Sequence, residues 1–231
     1  MGVARSLLIL SACLRTLQCT TFLIAQRGDV IVVGADSRST ITIDYASKKA
    51  GPNTCKIRKC SSGIYFVISS NQVINLKTGI DFFQLAVHAC NMPGDPRSKA
   101  DFFEKQALAA ADRILIEDRQ NTVASVAFFG YDHGPFYFSR SIRRSHSERY
   151  QQPAVDCPRG CSQWLAGGYR DVIDRLASQV FKDHRLEEAV TILLTKQIEA
   201  DRSGEVGEPI SVLQLDGSGE RWVSSGPCPA R

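Results

Sequence analysis

The sequence predicts an α+β fold, a four-layer α-β-β-α sandwich in which two antiparallel sheets are covered on their outer faces by helices. Three observations lead there. Short runs rich in β-branched and aromatic residues, punctuated by turn residues, fill the region from 20 to 69. Two pairs of amphipathic segments with helical spacing follow, each pair after a group of strands. The resulting order is four strands, two helices, two strands, two helices and two strands, which is not the strict alternation of a parallel α/β protein.

Taken in order, residues 20–26 and 30–35 read as strands joined at Arg27-Gly28-Asp29, a hairpin with Gly in the turn. Residues 37–53 are polar, with Gly51-Pro52 as a breaker, and read as a loop with room for a short strand at 40–43. A second hairpin, 56–58 with 64–69, turns at Ser61-Ser62-Gly63. Over 72–90, Val73, Leu76, Ile80, Phe83 and Val87 share one helical face, and Pro93-Gly94 ends the run. Phe103, Ala107, Ala110, Ile114 and Leu115 mark a second helix that starts at 98 or 100 and reaches 118. Residues 121–131 and 136–139 are strand-like around Asp132-His133-Gly134-Pro135. Helices over 169–182 and 186–200 precede strands at 209–215 and 221–223, with Asp216-Gly217-Ser218-Gly219 between them.

A chain of 231 residues with 43% hydrophobic content can bury one continuous core, so residues 20–231 are expected to form one domain behind a segment 1–19. Its 28 Lys+Arg and 24 Asp+Glu are scattered apart from Arg140, Arg143 and Arg144, which excludes the clustered basic face of a nucleic-acid binder. No segment approaches the roughly 20 consecutive apolar residues of a membrane span. Arg5, the run Leu7-Leu8-Ile9-Leu10 and Ser11-Ala12-Cys13 read as a short secretory signal. A propeptide, a buried first strand, or a lipoprotein box with Cys13 as acceptor are the open alternatives. A signal would make the protein periplasmic or secreted; otherwise it is cytoplasmic.

Eight cysteines include two close pairs, Cys55 with Cys60 and Cys157 with Cys161, which could be disulfides in an exported chain. No His stands at a zinc-ligand spacing from either pair, so no metal is expected, and no cofactor. No His accompanies a Gly-x-Ser-x-Gly turn, so a Ser-His-Asp triad is not indicated.

Thr20-Thr21-Phe22-Leu23, the run Val30-Ile31-Val32-Val33-Gly34-Ala35 and the tripeptide Asp36-Ser37-Arg38 together resemble proteasome β subunits and their bacterial relatives. The resemblance implies an N-terminal-nucleophile (Ntn) hydrolase fold and a nucleophile at Thr20, since sixteen positions separate Thr20 from Asp36 as in that family. Thr54-Cys55-Lys56-Ile57 looks like the family's third strand, which implies that Lys56 stands beside the nucleophile, with Lys48 and Lys49 as outside candidates. It further implies that Ser70 provides the backbone N–H of an oxyanion site, and that Asp201 and Ser203, after the helix 186–200, orient the α-amino group. Homo-oligomeric or ring assembly and a peptide or amide substrate follow from the same resemblance. Three positions depart from it: Cys19 precedes the nucleophile where the family has Gly, Ser70 replaces a Gly, and Gly167-Gly168 lacks the serine of the family's Gly-Ser-Gly turn.

The chemistry these residues allow can be stated without the family. A threonine hydroxyl must lose its proton as it attacks, and an α-amino group with a pKa near 7.7–8.0 can take it at neutral pH. Lys56 would lower the pKa of both groups, and Asp36 would hold the lysine in place. All of this requires cleavage before Thr20. The alternatives are a cysteine Ntn amidase similar to choloylglycine hydrolases and penicillin V acylases, with Cys19 as nucleophile, and an unprocessed, non-catalytic proteasome-like subunit.

Overall fold

The first two strands, β1 (Thr21–Arg27) and β2 (Val30–Asp36), pair antiparallel from Phe22↔Ala35 to Arg27↔Val30 and are buried along almost their whole length. Both faces of these strands must therefore be covered by other elements. The computed structural model describes residues 20–42, 48–70, 74–75, 79–111, 124–144, 149–151, 153–159, 161, 163–202, 204 and 206–228. After β2 come β3 (Thr40–Thr42), β4 (Lys48–Ala50), β5 (Ile57–Lys59), β6 (Tyr65–Ser70), β7 (Ile74–Asn75) and β8 (Ile80–Asp81). Helices α1 (Phe82–Asn91) and α2 (Pro96–Ala111) follow. The chain continues through β9 (Ala124–Tyr131), β10 (Pro135–Arg144), β11 (Arg149–Gln151), β12 (Val155–Cys157) and β13 (Trp164–Gly168), then α3 (Asp171–Asp183), α4 (Leu186–Ala200), β14 (Ile210–Asp216) and β15 (Gly219–Ser224).

Among the described residues the strands form a sheet in the order β13-β1-β2-β14-β15 and a second in the order β11-β10-β9-β6-β5, with β12 also on β10. Three buried clusters define the layers. Phe22, Ile24, Val33, Val67, Phe129 and Tyr137 fill the space between the sheets. Phe66, Phe82, Phe103 and Phe128 lie between the second sheet and α1 with α2. Leu23, Val32, Ile173, Val190 and Leu194 lie between the first sheet and α3 with α4. Side chains at odd and even positions of one strand thus enter different clusters, as the two-residue period of a strand requires. The fold is the four-layer α-β-β-α sandwich that the sequence predicts.

Close approach of α4 to β2 depends on Gly34, where a Cβ would stand 2.5 Å from Leu194 Cδ1 and 2.6 Å from Val190 Cγ1. Helix α4 also caps its neighbour. Gln197, fully buried, accepts from Val172 N at 3.0 Å and Ile173 N at 3.4 Å, which supplies the cap that α3 has no side chain of its own to make. On the other side, Arg140 on β10 donates to Asp101 on α2 (Nη2 2.6 Å) and to Asp156 on β12 (Nη1 2.6 Å), tying three elements together.

Four differences from the sequence reading have physical causes. The predicted helix over 72–90 begins at Phe82, because Ile80 and Asp81 pair with β7 and Asp81 caps the helix by accepting from Gln84 N at 2.9 Å. Residues 72, 73 and 76 lie outside the described residues. The second helix starts at Pro96, and its predicted end falls in 112–123, also outside them. β13 was not anticipated, since Ala166-Gly167-Gly168 carries no strand pattern, yet it pairs with β1 from Thr21↔Gly168 to Ala25↔Trp164. Cys55 and Cys60 are not partners: disulfides join Cys55 to Cys228 and Cys60 to Cys90, while Cys157 pairs with Cys161. Among the described residues no helix is long and apolar enough to cross a membrane.

Candidate active site

Thr20 stands immediately before β1 and is 1% exposed. Its carbonyl accepts from Tyr169 N at 3.0 Å, and its hydroxyl lies 3.5 Å from the Ser70 carbonyl at the end of β6, a proximity rather than a strong bond. The hydroxyl of Thr21 donates to the Tyr169 carbonyl. Residue 20 is therefore held between the end of β13 in one sheet and the end of β6 in the other.

Each residue of Asp36-Ser37-Arg38 has a separate task there. Asp36, at the end of β2, accepts from Lys56 Nζ at 2.9 Å and from the amide of Thr21 at 2.8 Å through the same oxygen. Its other oxygen accepts from Arg38 N at 3.1 Å and Gly207 N at 3.3 Å. Ser37 donates its hydroxyl to the Pro209 carbonyl and accepts from Thr54 N at 2.8 Å, which brings the segment before Lys56 alongside. The Arg38 carbonyl takes a second hydrogen bond from Lys56 Nζ at 2.5 Å, and its guanidinium donates to Gly204 O at 2.6 Å.

The Lys56–Asp36 pair is removed from water, with side chains 3% and 0% exposed. Burial pushes the Asp36 carboxyl above its ordinary range, against the pull of the Lys56 ammonium and the Thr21 and Gly207 amides. Two protein acceptors on one ammonium offset part of the cost of burying it.

Of the residues singled out from sequence, Thr20, Asp36, Lys56 and Ser70 converge. Asp201, at the C-terminal end of α4, accepts from Val206 N at 2.8 Å and shapes the 201–209 loop that supplies Gly204 and Gly207 to Arg38 and Asp36. Ser203 and Cys19 lie outside the described residues. Lys48 and Lys49 belong to β4, paired with β3 in a separate four-stranded sheet. Sequence reasoning missed the acceptor role of the Arg38 carbonyl and the contributions of Tyr169 and Gly207, because main-chain groups leave no residue-type signal.

No family model and no curated protein matches the chain. Among solved structures it is similar to Anbu (ancestral beta-subunit) from Yersinia bercovieri, with a TM-score of 0.58, 13% identity, and coverage of 89% of this chain and 87% of that one. It is also similar to the Anbu (Gly-1) mutant from Hyphomicrobium sp. strain MC1, with a TM-score of 0.56, 15% identity and the same coverages. These neighbours correct the expected assignment to the proteasome β-subunit family: Anbu is proteasome-like but a different family. At these identities the likeness establishes the Ntn-type fold alone.

Proposed function

We propose that residues 20–231 form an Ntn-type hydrolase that cleaves peptide or amide bonds with Thr20 as nucleophile, after removal of residues 1–19 as a signal or propeptide. The observation that carries this reading is the buried Asp36 oxygen shared by Lys56 Nζ and the Thr21 amide, at 2.9 and 2.8 Å. A buried ion pair gains little for stability over apolar residues, and here it sits one residue from a threonine that cleavage would make N-terminal.

In this mechanism the Thr20 Oγ attacks the scissile carbonyl carbon while its proton passes to the freed α-amino group. Lys56 keeps that amine neutral at working pH, and the Ser70 N–H donates to the oxyanion. The intermediate collapses as the α-ammonium returns the proton to the leaving amine, which leaves an ester on Thr20. Water, deprotonated by the same amine, hydrolyses the ester and regenerates the hydroxyl. Asp201 and Ser203 are assigned to orienting the α-amino group. The name of the neighbours, ancestral beta-subunit, supports assembly of several copies.

Intact-mass and N-terminal sequencing of the mature protein test the reading, together with labelling by a peptide epoxyketone, which closes a ring through both a threonine hydroxyl and its amine. Thr20 as first residue, with one label per chain, is expected. A mature chain that begins at Cys19, or that keeps residues 1–19 and takes no label, overturns it.

A further inference from the structure

Ser69, Ser125 and Ser141 lie directly opposite one another on β6, β9 and β10. All three face the gap between the sheets, because Val67, Ala127 and Tyr137 on the same strands and the same side belong to the inter-sheet core. The apolar filling of that gap therefore gives way to hydroxyls at one end, where β13 packs against β6 and β9. A cavity of about 230 Å³ opens there, lined by Ser125, Ser139, Ser141, Gly167, Gly168 and Arg170. Its lining mixes these groups with Pro153, Val155, Leu165 and Ala166, and it is large enough for several waters.

The hydroxyls differ in how they are used. Ser141 donates to Ser125 Oγ at 2.8 Å, and Ser139 to the Val126 carbonyl at 3.0 Å. Ser69 is 2% exposed, and its hydroxyl makes no hydrogen bond among the described residues. It points at Gly168. A Cβ on that glycine would lie 2.9 Å from Ser69 Oγ, 1.6 Å from the Thr20 carbonyl oxygen and 2.7 Å from the Thr20 carbonyl carbon. With φ at +82°, position 168 is doubly reserved for glycine, and the space it leaves brings a buried hydroxyl and the main chain of Thr20 to one point.

We propose that Ser69 is a positioning residue for the proton transfer. When the chain is cut before Thr20, the Ser69 hydroxyl accepts a hydrogen bond from the new α-ammonium group and fixes the amine beside the threonine hydroxyl. The proposal rests on Thr20 being the nucleophile, and it assigns to the second sheet a part in holding the base.

The test compares mature wild type, Ser69→Ala, Ser69→Thr and, as a control whose hydroxyl is already engaged, Ser139→Ala. The second-order rate of epoxyketone labelling is followed from pH 5 to pH 10, with melting temperatures alongside. Ser69→Ala is expected to label roughly tenfold more slowly, with a pH midpoint moved down because the ammonium has lost an acceptor. Its melting temperature should stay near wild type, Ser69→Thr should restore most of the rate, and Ser139→Ala should match wild type. Wild-type rate and midpoint in Ser69→Ala overturn the proposal and leave the nucleophile standing. A slower Ser69→Ala with an unmoved midpoint makes the serine merely structural and also overturns it. Wild type with a verified N-terminal Thr20 that takes no label overturns the functional reading, and this one with it.

Discussion

Lys56 and Asp36 form an ion pair at 2.9 Å with both side chains almost wholly buried, and the same carboxylate oxygen receives the amide of Thr21. The pair cannot be judged as a surface salt bridge, since neither charge has water to fall back on.

Replacing Lys56 by Met strands a buried carboxylate. Removal of one partner from such a pair costs about 3–5 kcal/mol, so denaturant unfolding should show a loss of that order. The double variant Lys56→Met with Asp36→Asn should recover much of the stability but none of the labelling. Recovery of labelling in the double variant would remove Lys56 from the chemistry.

Acid should act on activity and on stability in opposite senses at Asp36. Its carboxyl lies above the ordinary value of 3.8 because burial outweighs its donors. The ion pair is consequently lost on acidification earlier than for an ordinary aspartate, and the acid limb of the labelling rate should fall above that pH. For stability the sign reverses: a raised native value means that the folded state binds this proton more readily than the unfolded chain. The stabilisation from this group is full below 3.8 and disappears as pH rises through the native value. A pH–rate curve beside unfolding curves in the same buffers checks both halves; an acid limb at or below 3.8 would refute the first.

The disulfide between Cys55 and Cys228 ties the residue before Lys56 to a segment 173 residues away. Closing so long a loop restricts the unfolded chain, and removal of such a bridge costs about 2–5 kcal/mol. Cys228→Ser should lower the melting temperature under non-reducing conditions. It should also blunt the further drop that a reductant causes in wild type.

Arg140 should matter more for the docking of α2 than for the site. The Arg140 side chain is 4% exposed; its close partners Asp101 and Asp156 are 56% and 24% exposed and would keep water after its loss, while Glu104, 10% exposed, stands farther off at 3.8 Å. Arg140→Met is therefore expected to cost about 1–3 kcal/mol, without a change in the pH dependence of labelling. Hydrogen exchange should locate the loosening in α2 and β12.

The convergence of Thr20, Asp36, Lys56 and Ser70 at the candidate site was legible in the sequence where residue type, and spacing read through the family resemblance, carried the information. Thr20, sixteen positions ahead of Asp36, needs only a tight hairpin at Gly28 to bring the two together, and β1 with β2 supplies it. Lys56 came from the likeness of Thr54-Cys55-Lys56-Ile57 to the proteasome third strand, with Lys48 and Lys49 as outside candidates, and it is Lys56 that meets Asp36. What could not be read depends on contacts between distant segments. β13 becomes a strand because β1 offers an open edge, not because Ala166-Gly167-Gly168 favours one. The disulfide partners of Cys55 and Cys60 lie 173 and 30 residues away, and close spacing suggested a different pairing. Ser69 looks like any other strand serine until the opposite sheet places a glycine before it.

The span between Cys55 and Cys228 also sets an order of events during synthesis. At about 5–20 residues per second, a ribosome that has just made Cys55 needs on the order of 10–35 s to deliver its partner. Cys60, Cys90, Cys157 and Cys161 emerge within that interval, so in an oxidising compartment Cys55 meets four wrong thiols before the right one. Faithful placement of the segment that carries Lys56 is thus a contest between premature oxidation and the arrival of the distal chain, and an isomerase that reshuffles disulfides would decide the yield of correctly folded protein.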